Sequence, residues 1–357
     1  MSIYLTYNRP REKGVPWEED MIEPEGRDDA ASLAAALERA FARQHGAVPR
    51  LSPLTRLSGG ASKENWAFSA TSDGVERALV LRAAPAESRF ESAGVISLPA
   101  EASLLRLARA NGVPVPEVVC ELADADRPGY AMQHVAGQSV GTRILKDEGL
   151  AGARAGMARQ CGEILARIHA IPLDGSPALD VLMPADAVAA LAEGYRATGQ
   201  QRPVFELALC WLADRLPDCG APALVHGDFR NGNLIVGPDG IRAVLDWETA
   251  HIGCAAEDLG WLCVPSWRFQ RPDLPVGGFG TRQALLAGYH AAGGRPTSMD
   301  DLRFWQMFGS LRWGVMCAGV GARFAAGVRS VEGGMIARRA SETEYDLLAL
   351  MKESGDA

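Results

Sequence analysis

No run of apolar residues in this 357-residue chain reaches the roughly 18 needed to cross a bilayer. The opening residues, MSIYLTYNRPREKG, contain no signal-type apolar core. Both absences lead to the expectation of a cytoplasmic protein with no membrane partner. A surplus of basic charge is missing too: the formal net charge is -8 and the sequence pI about 5.4. That excludes a broadly cationic nucleic-acid surface while leaving room for a local cationic pocket. The seven cysteines, at 120, 161, 210, 219, 254, 263 and 317, are odd in number and form no C-x-x-C pair. They read as scattered, reduced thiols at core-like positions. His251 and Cys254 have no second ligand pair at zinc spacing. Internal repeats and low-complexity linkers are also lacking. With 47% hydrophobic residues, the length allows a two-lobed globular protein with a substantial core.

The most informative segment is Leu224 to Trp261, LVHGDFRNGNLIVGPDGIRAVLDWETAHIGCAAEDLGW. Leu234 to Val236 and Ile241 to Leu245 are short apolar runs separated by Gly237-Pro238-Asp239-Gly240, a sequence built for a turn. A hairpin there brings Asn233, at the start of one strand, to the same end as Asp246, just past the other. Asp228 lies upstream in a polar loop after the apolar strand Ala223 to Val225. Each residue alone has an ordinary reading as turn, strand end or cap. Together they supply one carboxylate to accept a hydroxyl proton, and an amide oxygen and second carboxylate to hold magnesium on ATP phosphates.

With His226-Gly227-Asp228, Asn233 and Asp246-Trp247-Glu248 in this order, the chain resembles the aminoglycoside phosphotransferase and choline kinase family of small-molecule kinases. The resemblance implies an α+β, bilobal, protein kinase-like fold. Its N-lobe, residues 1–135, is a small antiparallel sheet with one key helix, and its C-lobe, 136–357, is mainly helical. It implies Asp228 as catalytic base, Asn233 and Asp246 as metal ligands, and Asp258 as the helix-start aspartate that braces the catalytic loop. Glu248 stands where protein kinases have glycine, and is a further carboxylate near the metals or the substrate.

Three upstream features extend the likeness. Ser58-Gly59-Gly60-Ala61-Ser62 is a small glycine-rich turn that lets backbone N–H groups approach phosphate, although it matches neither the Walker pattern nor G-x-G-x-x-G. Ala78 to Arg82 is an apolar strand ending in a cation, and Glu101 shares a helix face with Leu104, Leu105 and Ala108. A carboxylate on an inward face needs a partner. Arg82 is the expected one, an arginine where the family pair uses lysine. Gly129 to Gly137 resembles the hinge between lobes, with Met132 behind the adenine pocket and the backbones of Gln133 and Val135 facing the base.

Helices are expected around 31–44, 153–169, 203–215, 281–291 and 299–325, after a mobile start to about residue 29. His169 reads as a hydrogen-bonded core histidine. The last long helix is apolar nearly all round from Phe304 to Val320, yet contains Arg312. A buried arginine needs an anion, either a core acid or an anionic group on the acceptor. The expectation is an ATP- and magnesium-dependent phosphotransferase acting on a hydroxyl of a small molecule, such as an anionic metabolite or hydroxyacyl compound. An aminoglycoside or other antibiotic kinase, or a nucleotide-binding pseudokinase without turnover, is the alternative.

Overall fold

A computed structural model describes residues 25–57, 63–85, 94–122, 127–353 and 355. The first element is helix α1 (Glu25–His45), which begins earlier than its alanine-rich stretch suggests. Strands β1 (Arg50–Leu51), β2 (Thr55–Arg56), β3 (Glu64–Ser72) and β4 (Val75–Ala83) follow, then helix α2 (Leu98–Ala110), β5 (Val118–Glu121) and β6 (Gly129–Gln133). These strands make one antiparallel sheet in the order β1-β3-β4-β6-β5, with β2 paired to β3. The long β3–β4 hairpin turns at Asp73-Gly74, whose φ values of 51° and 77° are those of a two-residue turn matched to strand twist.

One sheet face is covered by α1: Leu33, Leu37 and Phe41 pack with Trp66, Phe68 and Leu81. Helix α2 covers the other. Ser97 caps it by accepting from the Ala100 amide, Asn111 ends it, and Leu98, Leu104, Leu105 and Ala108 line its buried face together with Glu101. This apolar face also belongs to the core of the helical lobe, so the cluster runs unbroken from Leu105 through Tyr130 to Leu165, Val236 and Leu259.

The helical lobe contains α3 (Gly141–Lys146), α4 (Ala151–His169), β7 (Val181–Leu182), α5 (Pro184–Ala197), α6 (Pro203–Ala213), β8 (Ala223–Val225), β9 (Leu234–Gly237), β10 (Gly240–Val244), β11 (His251–Gly253), α7 (Ala256–Leu262), α8 (Arg282–Ala291), α9 (Met299–Ala325), α10 (Val331–Ala337) and α11 (Arg339–Glu353). β9 and β10 form the expected hairpin, with a bulge between Ile241 and Ala243. β8 pairs antiparallel with β11, aligning Val225 with His251. A second core packs α5, α6, α7, α9 and α11 around Trp305, Trp313, Phe205 and Leu347.

The reading of uniformly free thiols is corrected here: Cys219 and Cys254 form a disulfide with Cα atoms 5.4 Å apart. Their separation of 35 residues concealed a fold-made proximity, since the loop before β8 and the segment after β11 end on the same side of one strand pair. Cys120, Cys161, Cys210, Cys263 and Cys317 are free.

The α4–α8 contact depends on two glycines. A Cβ on Gly162 would stand 2.2 Å from the Leu285 carbonyl, and one on Gly288 would stand 2.1 Å from that of Arg159. Gly162→Ala is therefore expected to lower stability by about 1–3 kcal/mol through overpacking. Gly156→Ala on the same helix meets nothing within 4 Å and is expected to raise stability by up to about 1 kcal/mol through helix propensity. Chemical denaturation of both variants checks the pair; equal effects would contradict the close-packed crossing.

Candidate active site

The loop after β8 is held by one buried carboxylate. Asp258, in the first turn of α7, accepts the His226 amide at 2.8 Å and the Gly227 amide at 2.9 Å. It also bonds His169 Nε2 at 3.2 Å, and His169 Nδ1 bonds the Tyr289 hydroxyl at 2.9 Å. Burial pushes the Asp258 carboxyl up, yet the bond and charge of His169 and the neighbouring His226 hold it below its ordinary value. Gly227 has φ 80°, and a Cβ there would lie 2.4 Å from the Thr249 carbonyl, so only glycine fits. Burial lowers the His226 pKa, which favours the neutral ring. Its Nδ1 accepts the Asp228 amide at 3.1 Å, leaving Nε2–H to donate to Leu245 O at 3.1 Å. The imidazole thus staples the loop to the end of β10.

Asp228 is buried among donors. Its Oδ1 accepts Arg230 Nε and Trp261 Nε1, each at 2.9 Å, and its Oδ2 accepts Asn233 Nδ2 at 2.6 Å. Neither Arg230 nor Trp261 was singled out by the sequence reading. The signal for Arg230 was a cation two residues past the aspartate; for Trp261 it was a helix position one turn after Asp258.

Asp246 leaves β10 with φ 67°, a left-handed conformation that costs an L-residue about 1–3 kcal/mol and is characteristic of constrained functional positions. Its Oδ1 accepts Arg82 Nη2 at 2.7 Å; the same nitrogen donates to Glu248 Oε2 at 3.1 Å, and Arg82 Nε donates to Glu101 Oε2 at 3.1 Å. The paired strands β3, β4 and β6 set this position, aligning Arg82 with Asn65 and Tyr130. Burial works to lower the Arg82 pKa, but Glu101, Asp246, Tyr130 and Glu248 together hold it well above its ordinary value. Burial raises the Glu101 carboxyl; Arg82 pulls it down, and Asp246 and Glu248 push it up again. Three carboxylates share one guanidinium, so the cluster carries surplus negative charge.

Arg82, Glu101, Asn233, Asp246 and Met132 line one cavity between the lobes. Asn233 and Asp246 offer oxygen donors, and the surplus charge beside them suits a hard divalent cation. Among the described residues no group of three or more His, Cys, Asp or Glu is arranged to hold a metal unaided. Magnesium takes one or two protein oxygens and completes its shell with phosphate and water.

Gln133 ends β6 and donates its amide to Glu117 O at 2.8 Å, and Val135 lies two residues beyond. Ser58, Gly59, Gly60, Ala61 and Ser62 lie outside the described residues. Arg312 finds its anion within the chain: Nη1 lies 3.4 Å from Glu257 Oε1 and donates to Gly227 O at 3.1 Å. The internal alternative for this arginine is the one present, so its place in an apolar helix does not require an acceptor anion.

The family model of the phosphotransferase enzyme family matches residues 53–295. Acyl-CoA dehydrogenase family member 10 of Mus musculus is 29% identical over 278 residues, 71% of this chain and 25% of that protein. Acyl-CoA dehydrogenase family member 11 of Rattus norvegicus is 27% identical over 336 residues, 87% of this chain and 41% of that protein. The chain thus spans less than half the length of these curated relatives. A crystal structure from Ralstonia eutropha, assigned as an aminoglycoside phosphotransferase, is similar with TM-score 0.70 at 21% identity, covering 90% of this chain and 98% of that one. A thermostable aminoglycoside phosphotransferase APH(4)-Ia bound to AMP-PNP and hygromycin B gives TM-score 0.56 at 17% identity, covering 89% and 98%. These likenesses establish the kinase-like fold.

Removing Asp258 leaves two buried amides without an acceptor, each costing about 1–3 kcal/mol. Asp258→Ala is therefore expected to lower the melting temperature and speed hydrogen exchange at His226 and Gly227. Exchange as slow as in the native chain would show that the loop is held by something else.

Proposed function

The chain belongs to the phosphotransferase enzyme family, and on that premise we propose that it transfers the γ-phosphoryl group of ATP, with magnesium, to a hydroxyl of a small molecule. The observation that carries this reading is the convergence, between the lobes, of Arg82, Glu101, Asn233 and Asp246, with Asp228 bonded to Asn233. This is an arrangement of positioning and charge rather than of covalent chemistry, which is what phosphoryl transfer asks of a protein.

In this reading Asp228 accepts the acceptor's hydroxyl proton. Its carboxylate is turned and held by Arg230, Trp261 and Asn233, so little reorientation is needed when a hydroxyl arrives. Asn233 and Asp246 would hold magnesium, which when bound supplies positive charge to the phosphate oxygens. Arg82 stands beside them as the protein's own cation for the phosphates. Its planar fork reaches three carboxylates at once, so it can keep Glu101 while its Nη atoms turn toward a nucleotide. Met132 would back the adenine, with Gln133 and Val135 presenting backbone groups to it.

For the acceptor, a hydroxylated acyl compound is the favoured class. Support comes from the acyl-CoA dehydrogenase family members that align with this chain.

The test is ATP consumption by the purified chain over hydroxyacyl-CoA esters, free hydroxy acids and aminoglycosides. A hydroxyacyl compound should stimulate turnover. Asp228→Asn should then reduce transfer by about 10²–10⁴-fold, with nucleotide affinity nearly unchanged. Native turnover in that variant would remove the base assignment, and stimulation by aminoglycosides alone would overturn the acceptor class.

A further inference from the structure

Helix α9 reaches the catalytic loop through a tryptophan. Trp261 is 4% exposed, and its indole N–H donates to Asp228 Oδ1 at 2.9 Å. The Arg312 guanidinium lies over the same indole, 4.8 Å from its centroid, and Trp267 packs against it at 5.3 Å. Gly309 makes room for this seat, since a Cβ there would stand 3.0 Å from Trp261 Cε3. Arg312 Nη1 also donates to Gly227 O, the carbonyl just before Asp228, at 3.1 Å. One arginine of α9 therefore holds the loop twice: directly, at its backbone, and through the ring that bonds its carboxylate. Its charge is met by Glu257, whose other oxygen lies 3.2 Å from His251 Nε2.

We propose that Trp261 is a positioning residue for the Asp228 carboxylate, and that Arg312 acts through Trp261 as the clamp that seats the indole, rather than as a reader of the acceptor. An indole N–H is a donor only and does not titrate in the working range, so it fixes the carboxylate's orientation without exchanging a proton with it. Oδ1 carries two donors, Trp261 and Arg230, whereas Oδ2 accepts one from Asn233. The clamp thus makes Oδ2 the oxygen with capacity for a hydroxyl proton. The cation–π seat and the Gly227 bond call for a planar, delocalised cation with several donors, which explains arginine at this helix position.

The proposal rests on Asp228 being the base of a phosphotransferase, and two measurements keep the claims separable. The first is Mg·ATP hydrolysis, with water as acceptor. Trp261→Phe keeps the ring and removes the donor, and should lower kcat on the order of 10-fold with KM for ATP nearly unchanged. Arg312→Leu should act in the same direction, and Arg312→Lys should recover only part of the loss. The second is the indole N–H cross-peak of Trp261 in a ¹⁵N–¹H spectrum, assigned by its loss in Trp261→Phe. It should move in Asp228→Asn and again in Arg312→Leu. An unmoved indole peak in Asp228→Asn overturns the contact, as would native kcat in Trp261→Phe. A raised acceptor KM in Arg312→Leu with the Trp261 peak in place would return Arg312 to the acceptor site. If the native chain hydrolyses no ATP with water alone, the acceptor screen decides the kinase reading, and the indole peak alone upholds or overturns the clamp.

Discussion

A single guanidinium ties the parts of this molecule together. Arg82 reaches from the central hairpin of the sheet to Glu101 on α2 and to Asp246 and Glu248 beyond β10, so three separately built elements meet on one side chain. All four groups are buried, and none could be buried alone without a large desolvation cost. The Ile96 amide donates to the Glu248 carbonyl at 2.8 Å, fastening the approach to α2 to the same segment. The interaction that joins the lobes also sets the spacing of the groups that would meet nucleotide and metal. Asp246 keeps its left-handed backbone at this junction, where ion pairing offsets the strain.

Behind this cluster lies a second layer that carries no charge to the substrate but fixes where charge sits. Asp258 holds the backbone of the loop after β8, His226 joins that loop to the end of β10, and α7 and α9 press Trp261 and Arg312 against its far side. α7 and α9 approach closely because Gly260 packs on Trp305 and Gly309 on Trp261. Rigid packing of this kind lets three donors hold one carboxylate within hydrogen-bonding distance.

The sequence made much of this legible, for reasons that differ by residue. Asp228, Asn233 and Asp246 could be related because a short hairpin converts their spacing into proximity, and β9 and β10 do so. The partnership of Arg82 and Glu101 followed from the cost of an unpaired inward carboxylate, and the bond is present. That Arg82 also takes Asp246 and Glu248 was not legible, because those contacts cross 164 and 166 residues and depend on how the lobes close. For Arg312 the need for an anion was readable but not its identity: Glu257 lies on another helix 55 residues away. Trp261 was not singled out, since nothing local shows which way an indole N–H points. The Cys219–Cys254 pairing was hidden in the same manner.

The most direct test of the Arg82 junction as a nucleotide–metal site is calorimetric titration of ATP into the purified chain, with and without magnesium. The account predicts that magnesium tightens ATP binding by on the order of 10-fold or more, and that Asp246→Ala removes this gain while leaving residual metal-independent affinity. Equal ATP affinity with and without magnesium in the native chain, or an undiminished magnesium effect in Asp246→Ala, would contradict it.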